Sequence, residues 1–361
     1  MKSSLRNISI LLTVAAAASA TAASAEFALK GPIKPAWIYL NAKNDGGWQQ
    51  AVDEARVKIE KDLNVKIPFV ENVPDEAAKI EPAAELYIQR GYNVIIGSSF
   101  GYSDAFKSLA QKHPDVAFID ISGTQHGPNL GSVYGRTYES QYLCGMAAGA
   151  MSKTGKIGFV AAHPLGLVNW TINAYALGAQ AVNPKATVTA VFTGAWNDPV
   201  KERTAAKALI DQGADILGQN IDTSTTQIVA QERGIYGTGH NRDLREFAPK
   251  ATLCSSVWVW DRFFVPELKK IASGKWTPDQ YGDFPGIKGG GTDIACCNSA
   301  VPKDVADKIM AARKEIIDGR QIFKGPLLDR DGKERVPDGK VLGDADLWKM
   351  DWYVKGVVTQ N

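Results

Sequence analysis

The sequence is poor in side chains that commonly bind metal ions. It has four histidines among 361 residues, and its four cysteines are Cys144, Cys254, Cys296 and Cys297. The spacing of these cysteines matches no common zinc-binding pattern. We therefore expect no metal site and no bound cofactor.

An excess of charge of one sign is also absent. The sequence has 41 Lys plus Arg against 39 Asp plus Glu. Proteins that bind nucleic acid normally have a basic excess that attracts the phosphate backbone, and the same holds for anionic membrane surfaces. The near balance of charge argues against both kinds of partner.

Motifs of the common enzyme classes are missing as well. The sequence has no nucleophile elbow, no phosphate-binding loop and no paired-histidine motif. Asp45, Asp120 and Asp222 follow different predicted strands, so they do not form an evident catalytic or calcium-binding cluster. These absences favour a binding protein over an enzyme.

No apolar run is long enough to span a bilayer. The N-terminus has Lys2 and Arg6, then an apolar stretch from Ile8 to Ala18, then the small residues Ala23-Ser24-Ala25. This order is typical of a secretory signal peptide that is cleaved near Ala25. We expect a periplasmic protein that is not inserted in the membrane and begins near Glu26.

An exported protein can form disulfide bonds. The adjacent cysteines Cys296 and Cys297 cannot easily bridge to each other. A bridge from Cys254 to either of them and a set of free buried thiols remain two open alternatives.

Short apolar segments alternate with helical patterns along the chain. Predicted strands include 36–40, 93–96 and 156–161, and predicted helices include 49–62 and 199–212. This alternation predicts an α/β fold with parallel sheets and helices on both of their faces. Because the chain exceeds the usual size of one hydrophobic core, we expect two doubly wound lobes, joined near the helical segment 136–152.

Ligands of such folds bind beyond the carboxyl ends of the strands. Here most of those ends pair an aromatic residue with Asn, Asp or His, which supplies ring faces for stacking and polar groups for the edge of a flat heteroaromatic ligand. The candidate ligand-binding residues are Asn44, Asp45, Trp48, Phe100, Tyr102, Asp120, Asn169, Trp170, Trp196, Asn220, Asp222, His240, Trp258 and Trp260.

Simpler roles compete for several of these residues. Asp45 follows a strand and precedes a helix, where carboxylates often cap the helix N-terminus. Trp170 and Trp196, taken singly, are typical of packing positions, and His240 is typical of an ordinary loop histidine. The ligand hypothesis therefore depends on the recurrence of the whole set.

Several segments resemble the basic membrane protein family of ABC transporter substrate-binding proteins. These are Asp45-Gly46-Gly47-Trp48-Gln49, the helix 139–148, the stretch 154–160, Phe192-Thr193-Gly194-Ala195-Trp196-Asn197-Asp198-Pro199, the segment 212–216 and a late motif at 316–319. The resemblance covers roughly residues 35–325. It implies a type I periplasmic-binding fold with two lobes joined by a hinge.

The resemblance also implies a ligand and its contacts. Family members stack a purine between an aromatic residue of each lobe, which by motif position are Trp48 and Trp196 here, while Asp45 contributes polar contacts. The family's ribose-binding Lys is absent from 255–260, where Trp258 and Trp260 stand instead. A free base is therefore expected to bind in preference to a nucleoside.

The implied organisation is a monomer that delivers a purine to a membrane permease of an ABC importer. Its boundaries are a signal peptide at 1–25, a first lobe at 26–136 with a return segment at 258–292, a second lobe at 137–257 with 293–325, and a C-terminal extension at 326–361. The alternatives are a periplasmic sensor that presents its ligand to a signalling receptor and a nucleosidase-type hydrolase. For the extension, docking onto a lobe competes with contact to the permease.

Overall fold

A computed structural model describes residues 27–279 and 282–360. The signal peptide predicted at 1–25 lies outside the described residues. No helix in the described part of the chain is long and apolar enough to cross a membrane.

The described chain alternates strands and helices. Its strands are β1 Pro35–Ile38, β2 Phe69–Val70, β3 Val94–Gly97, β4 Ala117–Ile121, β5 Leu130–Val133, β6 Lys156–Ala161, β7 Thr187–Phe192, β8 Ile216–Asn220, β9 Tyr236–Gly239, β10 Thr252–Trp258, β11 Thr292–Cys296, β12 Leu327–Leu328, β13 Glu334–Val336 and β14 Val357–Gln360. Its α-helices are α1 Trp48–Leu63, α2 Ala77–Gln89, α3 Ser103–Lys112, α4 Thr137–Met151, α5 Gly166–Val182, α6 Pro199–Asp211, α7 Thr225–Glu232, α8 Trp260–Ala272, α9 Lys303–Ile317 and α10 Asp344–Trp348.

Two separate sheets organise the molecule. The first has the order β2-β1-β3-β4-β5, and its neighbouring strands are parallel. The second has the order β11-β10-β9-β8-β6-β7-β14, in which β10 and β11 are antiparallel and the other neighbours are parallel. The predicted α/β fold with two parallel sheets is confirmed.

Both faces of each sheet are buried. In β1, Trp37 packs in one apolar cluster and its neighbour Ile38 in another. In β6, Phe159 and Val160 divide in the same way between two clusters. Because alternate side chains of a strand point to opposite faces, this division requires helices on both sides, and it accounts for the nearly continuous apolar strand sequences.

Helix α4 links the two sheets along the chain and packs closely on α5. A Cβ atom at Gly145 would lie 2.1 Å from the Tyr175 carbonyl oxygen, and one at Gly178 would lie 1.9 Å from that of Tyr142. Only residues without a side chain allow this approach. The Ala- and Gly-rich composition of this segment is thus a requirement of helix packing.

The C-terminal segment docks onto the second sheet. Strand β14 pairs in parallel with β7, with Val357 opposite Val188. The Asn169 side chain of α5 donates to the Met350 carbonyl oxygen at 2.8 Å and accepts from the Tyr353 hydroxyl at 2.6 Å. These contacts agree with the docking alternative for the extension, while contact with a permease stays a prediction.

The cysteines differ from expectation at one point. Cys296 and Cys297 form a disulfide bond, with their Cα atoms 3.1 Å apart and a cis peptide bond between them. The expectation that this adjacent pair does not bridge to itself was wrong, because it did not consider a cis peptide. Cys144 and Cys254 are free and buried, with 3.3 Å between their Sγ atoms.

Candidate ligand-binding site

A cleft lies between the carboxyl ends of the two sheets. About 450 Å³ of space outside the protein atoms lies in this cleft and its solvent-facing mouth. Its walls are Trp48, Ser98, Ser99, Phe100, Ser122, Tyr134, Leu167, Trp196, Asn220, Asp222, His240, Asn241 and Trp258.

The two sides of the cleft touch in this structure. The Trp48 backbone N–H at the start of α1 donates to the Asp222 carbonyl oxygen beyond β8 at 3.3 Å. A second contact joins Arg242 Nη2 to the Glu54 carboxylate at 2.7 Å. The structure therefore corresponds to a closed arrangement of the cleft.

Trp48 is held firmly at the carboxyl edge of the first sheet. Its indole N–H donates to the Ser98 carbonyl oxygen at 2.9 Å, and the residue is buried. The ring makes an edge contact with Trp258, with centroids 5.3 Å apart. These contacts fix one indole wall of the cleft.

A pair of stacked indoles forms the floor. Trp258 lies on Trp260 with centroids 4.5 Å apart and an angle of 11° between the planes. The Trp258 N–H donates to Asn241 Oδ1 at 2.8 Å, so this ring has little freedom to move away. Trp258 lines the cleft, and Trp260 lies behind it and is fully buried.

Trp196 approaches from the second sheet, on the loop between β7 and α6. Its ring is only half-buried and meets the His163 ring edge to face at 5.2 Å. Its carbonyl oxygen accepts from the Asp222 N–H at 2.8 Å. The cleft therefore has an indole from each lobe, Trp48 and Trp196.

Asp222 is the one acidic residue in the described lining. Burial raises its pKa well above the ordinary carboxyl value, and the nearby charges of Asp45 and Glu202 raise it further. A hydrogen bond from Asn241 acts in the opposite direction. A ligand that donates to this carboxyl group would compensate for its burial.

His240 and Asn220 stand at the ends of the adjacent strands β9 and β8. Burial lowers the pKa of His240 to about 3, so the ring is neutral near pH 7. The Asn220 Nδ2 group is buried and has no hydrogen-bond partner among the described residues. Both side chains can form hydrogen bonds with polar groups at the edge of a ligand.

Other candidates from the sequence have local partners instead of lining the cleft. Asp45 accepts from the backbone N–H groups of Gly47, Gln49 and Gln50 at 2.9–3.1 Å and so caps α1. Burial raises its pKa, although these hydrogen bonds lower it. Asn44 beside it is exposed.

The buried candidates on the first sheet also have local partners. The Tyr102 hydroxyl donates to the Val73 carbonyl oxygen. Asp120 accepts from the Ser103 hydroxyl at 2.8 Å, and burial raises its pKa well above the ordinary value. Neither side chain belongs to the cleft wall.

On the second lobe, α5 directs its candidate residues away from the cleft. Asn169 binds the C-terminal segment at Met350 and Tyr353. The Trp170 N–H donates to Thr137 Oγ1 at 3.2 Å, and the ring is fully buried. These are packing positions.

The structure adds cleft residues that were not among the candidates: Ser98, Ser99, Ser122, Tyr134, Leu167 and Asn241. Ser98 and Ser99 directly follow β3, so the strand-end rule that selected Phe100 applies to them too. Ser122 has φ 65° and follows β4, and Tyr134 follows β5, a strand that was not predicted.

Metal chemistry has no evident site here. Within 27–279 and 282–360, no group of three or more His, Cys, Asp or Glu side chains is arranged to hold a metal ion.

Comparison with known proteins finds one matching family profile and several similar proteins. Residues 35–324 match the profile described as ABC transporter substrate-binding protein PnrA-like. A purine-binding protein of Brucella abortus is 34% identical over 351 residues, covering 96% of this chain and 98% of that protein. A putative ABC transporter glucose-binding protein of Haloferax volcanii is 32% identical over 305 residues, covering 84% of this chain and 77% of that protein.

A solved structure supports the fold. An ABC transporter solute-binding protein from Conexibacter woesei superposes with a TM-score of 0.65 at 20% identity, covering 80% of this chain and 97% of that chain. At this identity the similarity concerns the fold alone. The expected periplasmic-binding architecture is confirmed.

Proposed function

Because the chain belongs to the family of PnrA-like ABC transporter substrate-binding proteins, we propose that it captures a purine base between its two lobes and delivers it to a membrane permease. The family consists of solute-binding proteins, so the chain is a binding protein and not an enzyme. The permease partner and a location in the periplasm are parts of the proposal.

The observation that carries the purine assignment is the pair of indoles from opposite lobes. Trp48 and Trp196 both line a closed cleft whose remaining walls include Trp258. A purine has two aromatic faces and an edge of alternating hydrogen-bond donors and acceptors. Stacking against aromatic side chains contributes about 1–3 kcal/mol per base.

The polar groups suit the edge of a purine. Asp222 accepts hydrogen bonds when ionised, and the neutral His240 ring has one donor and one acceptor nitrogen. Both line the cleft and are nearly inaccessible to solvent. A ligand that left such groups unpaired would lose affinity, which gives the cleft selectivity among bases.

A free base fits better than a nucleoside. Trp258 lies in the cleft wall, in the segment where the family's ribose-binding Lys is absent, and its stacking on Trp260 and its bond to Asn241 oppose its displacement. We therefore propose that the base binds more tightly than its nucleoside.

Glucose is the competing ligand, since one relative is described as a putative glucose-binding protein. A sugar needs several charged or amide groups to satisfy its hydroxyls. The described cleft wall has one carboxylate, Asp222, and two amides, Asn220 and Asn241, but it also has three indoles, whose flat faces suit stacking on a ring. This balance favours an aromatic ligand.

Isothermal titration calorimetry on the mature chain from Glu26 tests the assignment. The panel is adenine, guanine, hypoxanthine, xanthine, their nucleosides, glucose and amino acids. Binding of at least one purine base, tighter than its nucleoside, is the expected result. Binding of glucose without any purine would refute the proposal, and equal affinity for base and nucleoside would refute the free-base part.

A further inference from the structure

A buried glutamine lies beneath the cleft, in contact with His240. Gln141 is on α4 and is fully buried. Its Nε2 atom is 3.1 Å from His240 Nδ1 and 3.5 Å from the Gln219 carbonyl oxygen. Gln141 therefore connects the interlobe helix to the end of β9.

The Gln219 carbonyl determines the direction of these hydrogen bonds. A carbonyl oxygen can only accept, so the side of the Gln141 amide that faces it must be the NH₂ group. That same NH₂ group faces His240 Nδ1, which must then act as an acceptor. In a neutral ring whose Nδ1 accepts, the proton is on Nε2.

The opposite orientation of the amide is unfavourable. It would place the Gln141 oxygen against the Gln219 carbonyl oxygen, where neither atom can donate. It would also turn the NH₂ group to the buried position where Oε1 now has no partner among the described residues. Buried donors without an acceptor are costly, so the first orientation is preferred.

The ring does not need a positive charge to donate. Burial keeps His240 neutral, and its described hydrogen bond is the one to Gln141. That hydrogen bond involves Nδ1 and leaves Nε2 for the cleft, which the ring lines beside Asn220 and Asp222. A donor is therefore available to the ligand.

We propose that Gln141 positions His240 as a fixed hydrogen-bond donor, and that Nε2–H of His240 selects ligands with an acceptor at that edge. The acceptor is an unprotonated ring nitrogen or a carbonyl oxygen of the heterocycle. This inference rests on the proposed function for the identity of the ligand. His240 contacts the ligand, whereas Gln141 acts through His240 and is a positioning residue.

The first test needs no ligand. A long-range two-dimensional ¹H–¹⁵N correlation spectrum of the histidine rings distinguishes the two neutral tautomers and the imidazolium. A His240→Asn variant identifies the His240 signal among those of the four histidines. The expected pattern is a neutral ring protonated at Nε2 that does not titrate between about pH 5 and 8. A proton on Nδ1, or titration in that range, would overturn the positioning role.

A Gln141→Met variant tests whether Gln141 sets the tautomer of His240. Methionine has a similar length but offers no strong hydrogen bond, so His240 should show a mixture of tautomers while the fold is retained, as judged by thermal unfolding. Gln212→Met is the control, because Gln212 is exposed and pairs with Gln360 far from the cleft. An unchanged His240 pattern in Gln141→Met would contradict the inference.

The contact between His240 and the ligand is tested with deaza analogues of the tightest-binding purine, in which one ring nitrogen at a time is replaced by C–H. If that base has an oxo group, an analogue that lacks it is tested as well. The analogue that lacks the atom facing His240 should bind roughly ten- to a hundredfold more weakly to the parent protein, because Nε2–H loses its acceptor. In a His240→Phe variant that analogue should bind about as well as the parent base. If every analogue loses affinity equally in both proteins, recognition through His240 is refuted. If no purine binds at all, the proposed function fails, and the NMR result still decides the role of Gln141.

Discussion

Substitution of Gly47 by alanine should prevent the lobes from closing. A Cβ atom at this position would lie 1.9 Å from the Asp222 carbonyl oxygen and 2.6 Å from its carbonyl carbon. Cβ atoms essentially never approach other atoms closer than 3.0 Å, so the two backbones would have to separate by about 1.1 Å. That movement would break the 3.3 Å bond from the Trp48 N–H to Asp222.

The size of the effect follows from the cost of overpacking, which is typically about 1–3 kcal/mol. Because the clash arises across the interlobe contact, the cost falls on the closed state, and it weakens ligand binding by about five- to 150-fold. Calorimetry with the tightest purine measures this loss. Small-angle scattering on the same sample should show less compaction on adding ligand than in the parent protein.

Gly127→Ala is the matched control. A Cβ atom there would meet the Leu130 Cβ at 3.7 Å, an ordinary contact, and it lies on the first lobe away from the cleft. It should leave affinity and compaction unchanged. Full affinity and full compaction in Gly47→Ala would refute the reasoning that the closed contact at Asp222 is part of the bound state.

Three further predictions concern other features of the structure. Trp196→Ala should weaken purine binding by about 1–3 kcal/mol in calorimetry, since it removes one stacking surface, and an unchanged affinity would exclude Trp196 from the site. Asp222 has a raised pKa, so the folded state binds its proton more tightly than the unfolded state, and this group's contribution to stability falls as pH rises above about 4. Urea unfolding should therefore show a smaller loss of stability between pH 4.5 and pH 7.5 in Asp222→Asn, and an identical slope would contradict the raised pKa. Cys144 and Cys254 should be unreactive toward a thiol reagent in the folded protein and give two thiols after unfolding without reductant, whereas zero or four thiols would contradict the assigned disulfide state.

The sequence was sufficient for the fold because the physical signals were strong. Strands such as 156–161 are nearly all apolar, as strands covered on both faces must be. Strand β5 was missed because Leu130-Gly131-Ser132-Val133 has too few apolar residues for a periodic pattern. Its omission also removed Tyr134 from the candidate residues.

The cleft was predictable only in part, because position after a strand does not determine where a side chain points. Trp48, Trp196 and His240 reach the cleft. Asp45 follows a strand in the same way, but its carboxylate is satisfied by three backbone N–H groups of α1. Asp120 is similarly directed to a neighbouring hydroxyl, Ser103. Local hydrogen bonds of this kind compete with ligand contact and are invisible in the strand pattern.

The most direct test of the central claim is a crystal structure of the mature chain with the purine base that binds most tightly. The account predicts closed lobes with the base between the Trp48 and Trp196 rings and its edge toward Asp222 and His240. A base bound outside this cleft, or bound without contact to either indole, would contradict it.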